Sequence, residues 1–295
     1  MRNLHLAPAA AHAITRVQEQ VTRMPSYPFY QVDAFASRAF EGNQACVMPM
    51  EAFLPDHVLL AIAAENNVAE TAYLVPAGDG AWQLRWFTPA VEVPLCGHAT
   101  LAAAHVLFAH GGHTGESIAF DTVKSGRLTV KRLADGSLEM DFPSAPIRPV
   151  PVTDEIAAAL GARPLEAWGG MFYAARFATP EDVRALAPEQ RALKTLGAAG
   201  DGWDRGNFGC FALGGEGVDT TSRFFAPGSG IDEDPATGSW HTMLARILAE
   251  RFAKSEARCF QAYPGRGATI GVRLEGDRCK LTGSAVTVIE GRFTL

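Results

Sequence analysis

A five-residue string recurs almost half a chain away, and this repeat constrains the fold more than any other feature of the sequence. Arg85-Trp86-Phe87-Thr88-Pro89 is echoed by Arg223-Phe224-Phe225-Ala226-Pro227, an offset of 138 positions in a chain of 295 residues. Each copy leads into a glycine-containing turn and then an apolar, helix-like run. The first is Cys96-Gly97-His98-Ala99-Thr100 before residues 101–108, and the second is Ala236-Thr237-Gly238-Ser239 before residues 240–252. Strand, loop and helix N-terminus repeated at this spacing predict two related halves rather than one continuous unit. The first helix is apolar nearly all round, the pattern of a helix enclosed by a sheet. The second carries Met243, Leu244, Ile247, Leu248 and Phe252 on one face.

Between these points the strand signals are short and pair as hairpins. Residues 127–133 and 137–142 flank Asp135-Gly136, residues 269–274 and 279–282 flank Gly276-Asp277, and further strands are expected at 27–35 and 286–293. Peripheral helices are signalled by Pro55-Asp56, by Thr153-Asp154-Glu155 ending at Gly161, and by Thr179-Pro180-Glu181-Asp182. The fold class is α+β: two pseudo-symmetric domains, each a mostly antiparallel sheet wrapped around a central helix. Pro143, Pro146, Pro149 and Pro151 suit an extended linker, so the halves are placed at 25–145 and 146–295, with the last strand able to return to the first half. Two similar domains facing each other imply a site between them.

The remaining composition narrows the function classes. With 26 Lys and Arg against 32 Asp and Glu the net charge is −6, so no basic field gathers nucleic acid or an anionic membrane. No apolar run reaches the length of about 18 residues that a membrane span needs. Five cysteines without CxxC spacing fit a reduced, cytoplasmic setting and provide no zinc-ligand framework. Residues 1–24 read as a loose N-terminal extension whose apolar piece is too interrupted by Pro8 and His12 for a secretory signal. Met24 offers an alternative start to Met1.

Three places carry candidate chemistry. The Cys96-Gly97-His98 turn lies at a helix N-terminus, where unpaired N–H groups and the helix dipole suit a carboxylate, an enolate or a thiolate. Gly97 could equally serve a tight turn and His98 a cap. Glu70 is the one carboxylate in an apolar strand running through Val75. Desolvation there is expected to raise its pKa toward that of a general base, although the outer face of a strand would also carry a glutamate. Glu233-Asp234-Pro235 precedes the second turn, where acidic residues also serve as caps, and Ser239 can donate to an anion or cap. Neither a phosphate-binding loop nor a dinucleotide fingerprint is present, so nucleotide cofactors have no sequence warrant.

Together these segments resemble a family. Gly42-Asn43, Ala69-Glu70-Thr71-Ala72, Pro94-Leu95-Cys96-Gly97-His98-Ala99-Thr100 and Glu233-Asp234-Pro235-Ala236-Thr237-Gly238-Ser239 look like the PhzF family of phenazine-biosynthesis-type isomerases, of diaminopimelate epimerase-like fold, over residues 27 to the C-terminus. The resemblance implies a homodimer acting on a small carboxylic acid without metal or organic cofactor. It implies Glu70 as the acid/base, His98, Asp234 and Ser239 as groups that hold substrate and assist proton movement, and Asn43, Gly97 and Gly238 as pocket residues.

The expected reaction moves a proton along the framework of a small unsaturated or cyclic acid. Relatives that racemise or epimerise use two opposing cysteines, one at each equivalent turn. Here Cys96 occupies the first turn and the second has none, so an amino-acid racemase using Cys96 with a different partner is the alternative within enzymes. A non-catalytic small-acid-binding module is the alternative outside them. Two departures from the family pattern bear on the substrate: Gln44 follows Asn43 where many relatives have proline, and Trp240, beside the second turn, is expected to narrow the pocket.

Overall fold

A computed structural model describes residues 25–196 and 206–295; the extension expected at 1–24 lies outside the described residues. The first half comprises β1 (Ser26–Ala34), β2 (Asn43–Pro49), α1 (Asp56–Asn66), β3 (Glu70–Pro76), β4 (Trp82–Phe87), β5 (Glu92–Val93), α2 (Gly97–Ala109), β6 (Ser117–Thr122), β7 (Arg127–Arg132) and β8 (Leu138–Pro143). The second comprises β9 (Arg148–Pro149), α3 (Asp154–Leu160), β10 (Glu166–Gly169), β11 (Tyr173–Arg176), α4 (Pro180–Ala185), α5 (Gln190–Thr195), β12 (Phe208–Leu213), β13 (Thr220–Phe225), α6 (Gly238–Phe252), β14 (Glu256–Gln261), β15 (Ala268–Glu275) and β16 (Arg278–Gly283). The final strand, β17 (Ala285–Thr294), returns to pair with β1.

The two sheets have the same topology. In order β17-β1-β2-β3-β4-β6-β7-β8 and β9-β10-β11-β12-β13-β14-β15-β16, successive pairings are antiparallel, antiparallel, parallel, antiparallel, parallel, antiparallel and antiparallel in both. The repeated string therefore marks equivalent positions: Trp82 pairs with Phe120 across a parallel contact, as Thr220 does with Cys259. Strands β8 and β16 pair antiparallel and join the two sheets.

The repeat also has a side-chain reason. Arg85 grips Glu92 through two hydrogen bonds of 2.7 and 2.9 Å, and Arg223 grips Glu233 through two of 2.8 and 2.7 Å. Each guanidinium lies over a phenylalanine of its own string, Phe87 or Phe225. Glu92 and Glu233 are themselves bridged to Phe87 and Phe225. In each half an arginine on the fifth strand of the sheet order thus pins the loop that leads into the central helix.

Helices α2 and α6 fill the insides of the two curved sheets. Ala99, Leu101, Ala102, Ala103, Val106 and Leu107 are buried in the same apolar core as Leu244, Ala245, Ile247 and Leu248. Peripheral helices cover the outer faces: α1 packs Leu59 and Ile62 against Met48 and Tyr73, while α3 and α4 pack Ile156, Leu160 and Val183 against Tyr173, Phe208 and Phe225. Their ends follow the sequence signals. Thr153 caps α3, Gly161 ends it in the left-handed region, and Thr179 with Asp182 forms a capping box on α4. Among the described residues no helix is long and apolar enough to cross a membrane, and all five cysteines are buried and free.

Candidate active site

The two central helices point their N-termini at one another. A Cβ built on Gly97 would lie 3.9 Å from the Gly238 Cα, and one on Gly238 would lie 4.0 Å from the Gly97 Cα. The N-cap residues, Cys96 and Thr237, are extended, and neither side chain caps its helix. First-turn N–H groups have no acceptor inside a helix, so both ends are left to solvent or to a ligand. The equivalence continues one turn further: the Thr100 hydroxyl donates to the Cys96 carbonyl at 2.5 Å, and His241 Nδ1 donates to the Thr237 carbonyl at 2.8 Å.

Side chains from both halves converge on this junction. Glu70 opens β3 beside Ala45 of β2, and Asn43 opens β2. His98 Nε2 lies 2.9 Å from Glu70 Oε2. That approach lacks hydrogen-bond alignment, and the buried Glu70 Oε2 has no hydrogen-bond partner. Asn43 Nδ2 donates to Asp234 Oδ1 at 2.8 Å and also lies 3.3 Å from His98 Nδ1. In a neutral imidazole this selects the tautomer with its proton on Nε2, facing Glu70. Cys96 Sγ lies 3.6 Å from His98 Nδ1 and 4.0 Å from Nε2.

The charges are arranged against burial. Burial raises the Glu70 pKa, but the charge of His98 and its contact outweigh this and leave the carboxyl below its ordinary value. The elevated base expected from the sequence is therefore corrected: Glu70 sits in the predicted apolar strand, yet its neighbour is a cation. Burial pulls His98 down, but Cys96 and Glu70 outweigh it and hold it well above the ordinary histidine value. Burial and the Glu70 charge push the Cys96 thiol up, so near neutrality Glu70 is the anion beside His98. Asp234 is the carboxyl that burial does raise, to about 6, against the opposing effects of His98 and Thr237.

The predicted residues separate into a connected group and three outliers. Glu70, Asn43, Cys96, His98 and Asp234 lie in one network, with Gly97 and Gly238 at the facing helix ends. Ser239 is exposed; its carbonyl accepts from the Thr242 hydroxyl. Trp240 does not narrow the site: it is fully buried in the second half, beside Phe211 and Phe224, and a Cβ on Gly209 would come within 2.3 Å of its indole. Helical geometry sends adjacent residues in different directions, so nearness to the turn did not mean nearness to the site. Glu233 belongs to Arg223 and is a structural residue.

Two further residues shape the second turn. Gln261, fully buried at the end of β14, accepts from the Thr237 backbone N–H at 2.9 Å and donates to the Asp234 carbonyl at 2.6 Å. Thr237 donates its hydroxyl to Asp234 Oδ2 at 2.5 Å. An amide on the inward-facing side of an alternating strand, in step with Ala257 and Cys259, was the available sign for Gln261, and the N-cap position for Thr237. The titratable side chains at the junction are not duplicated. Thr71 faces Phe87 as Phe208 faces Phe225, so the counterpart of Glu70 is Asn207, and the helix-end counterpart of Cys96 is Thr237. For metal binding, the donor atoms of Glu70, Cys96 and His98 lie within 4.8 Å of one another.

The paired sheets, the facing helix ends and the Glu70–His98 contact define a two-domain scaffold of the diaminopimelate epimerase-like kind. A solved PhzF-family protein from Enterococcus faecalis superposes with a TM-score of 0.85 at 36% identity, covering 92% of this chain and 100% of the other. The fold is also that of a predicted epimerase from Pseudomonas aeruginosa, with a TM-score of 0.66 at 22% identity over 91% and 99% of the two chains. The sequence pattern of the phenazine biosynthesis-like protein family (PhzC-PhzF) matches residues 32–291, and the chain belongs to that family. An uncharacterised isomerase of Pseudomonas aeruginosa is 43% identical over 268 residues, which is 90% of this chain and 98% of the relative. The chain is an enzyme of the isomerase class.

Proposed function

We propose that the protein moves a proton between carbons of a small unsaturated or cyclic carboxylic acid, with Glu70 as the acid/base. The observation that carries this reading is the position of the Glu70 carboxylate. It is mostly buried, it has an oxygen without a hydrogen-bond partner, and it lies beside His98 near two uncapped helix ends. A carbon-bound proton next to an unsaturated acid becomes removable when the developing delocalised anion is stabilised, and two helix N-termini with a cationic histidine supply that stabilisation. Glu70, ionised through its pairing with His98, takes the proton and returns it to a different carbon. Asp234, whose two oxygens accept from Asn43 and Thr237, helps to hold the substrate and assists proton movement, and Ser239 would join only through a bound substrate.

This reading requires no organic cofactor or metal, and it extends to a cytoplasmic homodimer divided near residue 145. The alternative, a racemase using Cys96, is disfavoured by the thiol's raised pKa and by threonine at the opposing position. A binding module has no use for a carboxylate poised against a buried histidine. The experiment is incubation in deuterated water with trans-2,3-dihydro-3-hydroxyanthranilate and a panel of small unsaturated acids. Isomerisation of at least one is the expected result. Tight binding of an acid with no isomerisation or hydrogen exchange across the panel favours the binding module instead.

A further inference from the structure

The three donors at the first helix end are of different chemical kinds. Cys96 supplies sulfur, His98 nitrogen and Glu70 a carboxylate oxygen, all within 4.8 Å of one another, and this is the one such cluster among the described residues. Magnesium and calcium take oxygen ligands, whereas a mixed sulfur, nitrogen and oxygen set suits zinc and its neighbours. Two donors come from a single turn, at positions two apart in sequence, and the third comes from β3, which fixes it independently.

The spacing is close to what zinc requires. With bonds of about 2.3 Å to sulfur and about 2.0 Å to nitrogen or oxygen, tetrahedral ligands are separated by roughly 3.3 to 3.5 Å. Glu70 Oε2 and His98 Nε2 are 2.9 Å apart, and Nε2 and Cys96 Sγ are 4.0 Å apart. The oxygen must back away slightly and the sulfur move in, both within reach of side-chain torsions. Glu70 Oε2 is also a buried carboxylate oxygen 2.9 Å from His98 Nε2, and a metal cation bound there takes over the charge pairing that protonated His98 otherwise supplies.

We propose that Glu70 Oε2, Cys96 Sγ and His98 Nε2 form a site for zinc or a similar thiophilic divalent cation, and that filling it switches the enzyme off. A fourth position is left to water. Binding releases two protons to solvent, the Cys96 thiol proton and the Nε2 proton of the His98 cation, and involves no change of oxidation state. Coordination through Nε2 leaves the ring's remaining proton on Nδ1, on the side of Asn43. The silencing half of the inference rests on the proposed role of Glu70; the metal site does not.

The test is titration of the full-length protein with zinc and with cobalt in thiol-free buffer, for wild type, Cys96→Ala and Glu70→Gln, with circular dichroism to confirm folding. We expect one high-affinity ion per chain, a cobalt–thiolate charge-transfer absorption that Cys96→Ala abolishes, and affinity losses of at least about 100-fold in both variants. Unchanged zinc affinity in folded Cys96→Ala, or saturable cobalt binding without the thiolate absorption, overturns the site. Full turnover by zinc-saturated wild type overturns the switch. Metal binding is read without a substrate, so its failure would leave the proton-transfer reading intact, and the reverse also holds.

Discussion

Asn43 Nδ2 donates to Asp234 Oδ1 at 2.8 Å, joining residues 191 positions apart across the two halves of the molecule. The bond ties the first residue of β2 to the loop that enters α6. Asn43 also lies 3.3 Å from His98 Nδ1, so the raised carboxyl of the second half is brought to the His98–Glu70 pair of the first.

Asp234 should make stability depend on pH in a particular direction. Its folded pKa of about 6 lies above the ordinary 3.8, so the folded state binds more protons than the unfolded chain between these values. The destabilisation is absent below pH 3.8, grows through the interval and is complete above about 6. Asp234→Asn is expected to stabilise the protein by up to about 3 kcal/mol above that interval and to change little below it. Urea unfolding at several pH values checks this; equal effects at both ends would show that Asp234 titrates normally.

The two arginine–glutamate pairs should differ in cost although they occupy equivalent positions. The Arg223 and Glu233 side chains are 8% and 10% exposed, against 13% and 28% for Arg85 and Glu92. Arg223→Met leaves a buried carboxylate unpaired and is expected to cost about 3–5 kcal/mol. Arg85→Met, whose glutamate can recover water, is expected to cost about 1.5–3 kcal/mol. Denaturant unfolding of both variants gives the comparison, and a larger loss at Arg85 would contradict it.

Gly97→Ala should separate stability from function. The added Cβ meets nothing closer than 3.7 Å, at Phe142, so the fold accommodates it. Replacing glycine at a compatible backbone position stabilises by roughly 0.4–1 kcal/mol. The methyl group nevertheless enters the gap between the two helix ends and displaces a bound acid, for a loss of roughly 10- to 100-fold in kcat/KM. A thermal melt and steady-state kinetics on one preparation test both expectations.

Much of the architecture was legible because it was written twice. Arg85 and Arg223, their following aromatic residues and the glycines at 97 and 238 sit in matching environments, so a sequence repeat stood for a structural one. The helix caps at Thr153 and Thr179 were legible because capping is local chemistry. What sequence could not supply was direction and electrostatic balance. Trp240 follows Ser239 but turns into the core, where Gly209 makes room for it. The burial of Glu70 was foreseen, yet its pKa falls because His98, 28 positions away in sequence, comes within 2.9 Å. Gln261 was missed because its partners, Asp234 and Thr237, are brought to it by strand pairing that no local signal encodes.

The most direct test of the central claim compares Glu70→Gln with Cys96→Ser on whichever unsaturated acid the wild-type enzyme isomerises. Carbon-bound deuterium is followed by NMR as a labelled proton moves along the framework. Proton transfer by Glu70 predicts that Glu70→Gln loses about 10²- to 10⁴-fold in kcat, while Cys96→Ser remains close to wild type. Unchanged isomerisation by Glu70→Gln, with activity lost in Cys96→Ser instead, would contradict it.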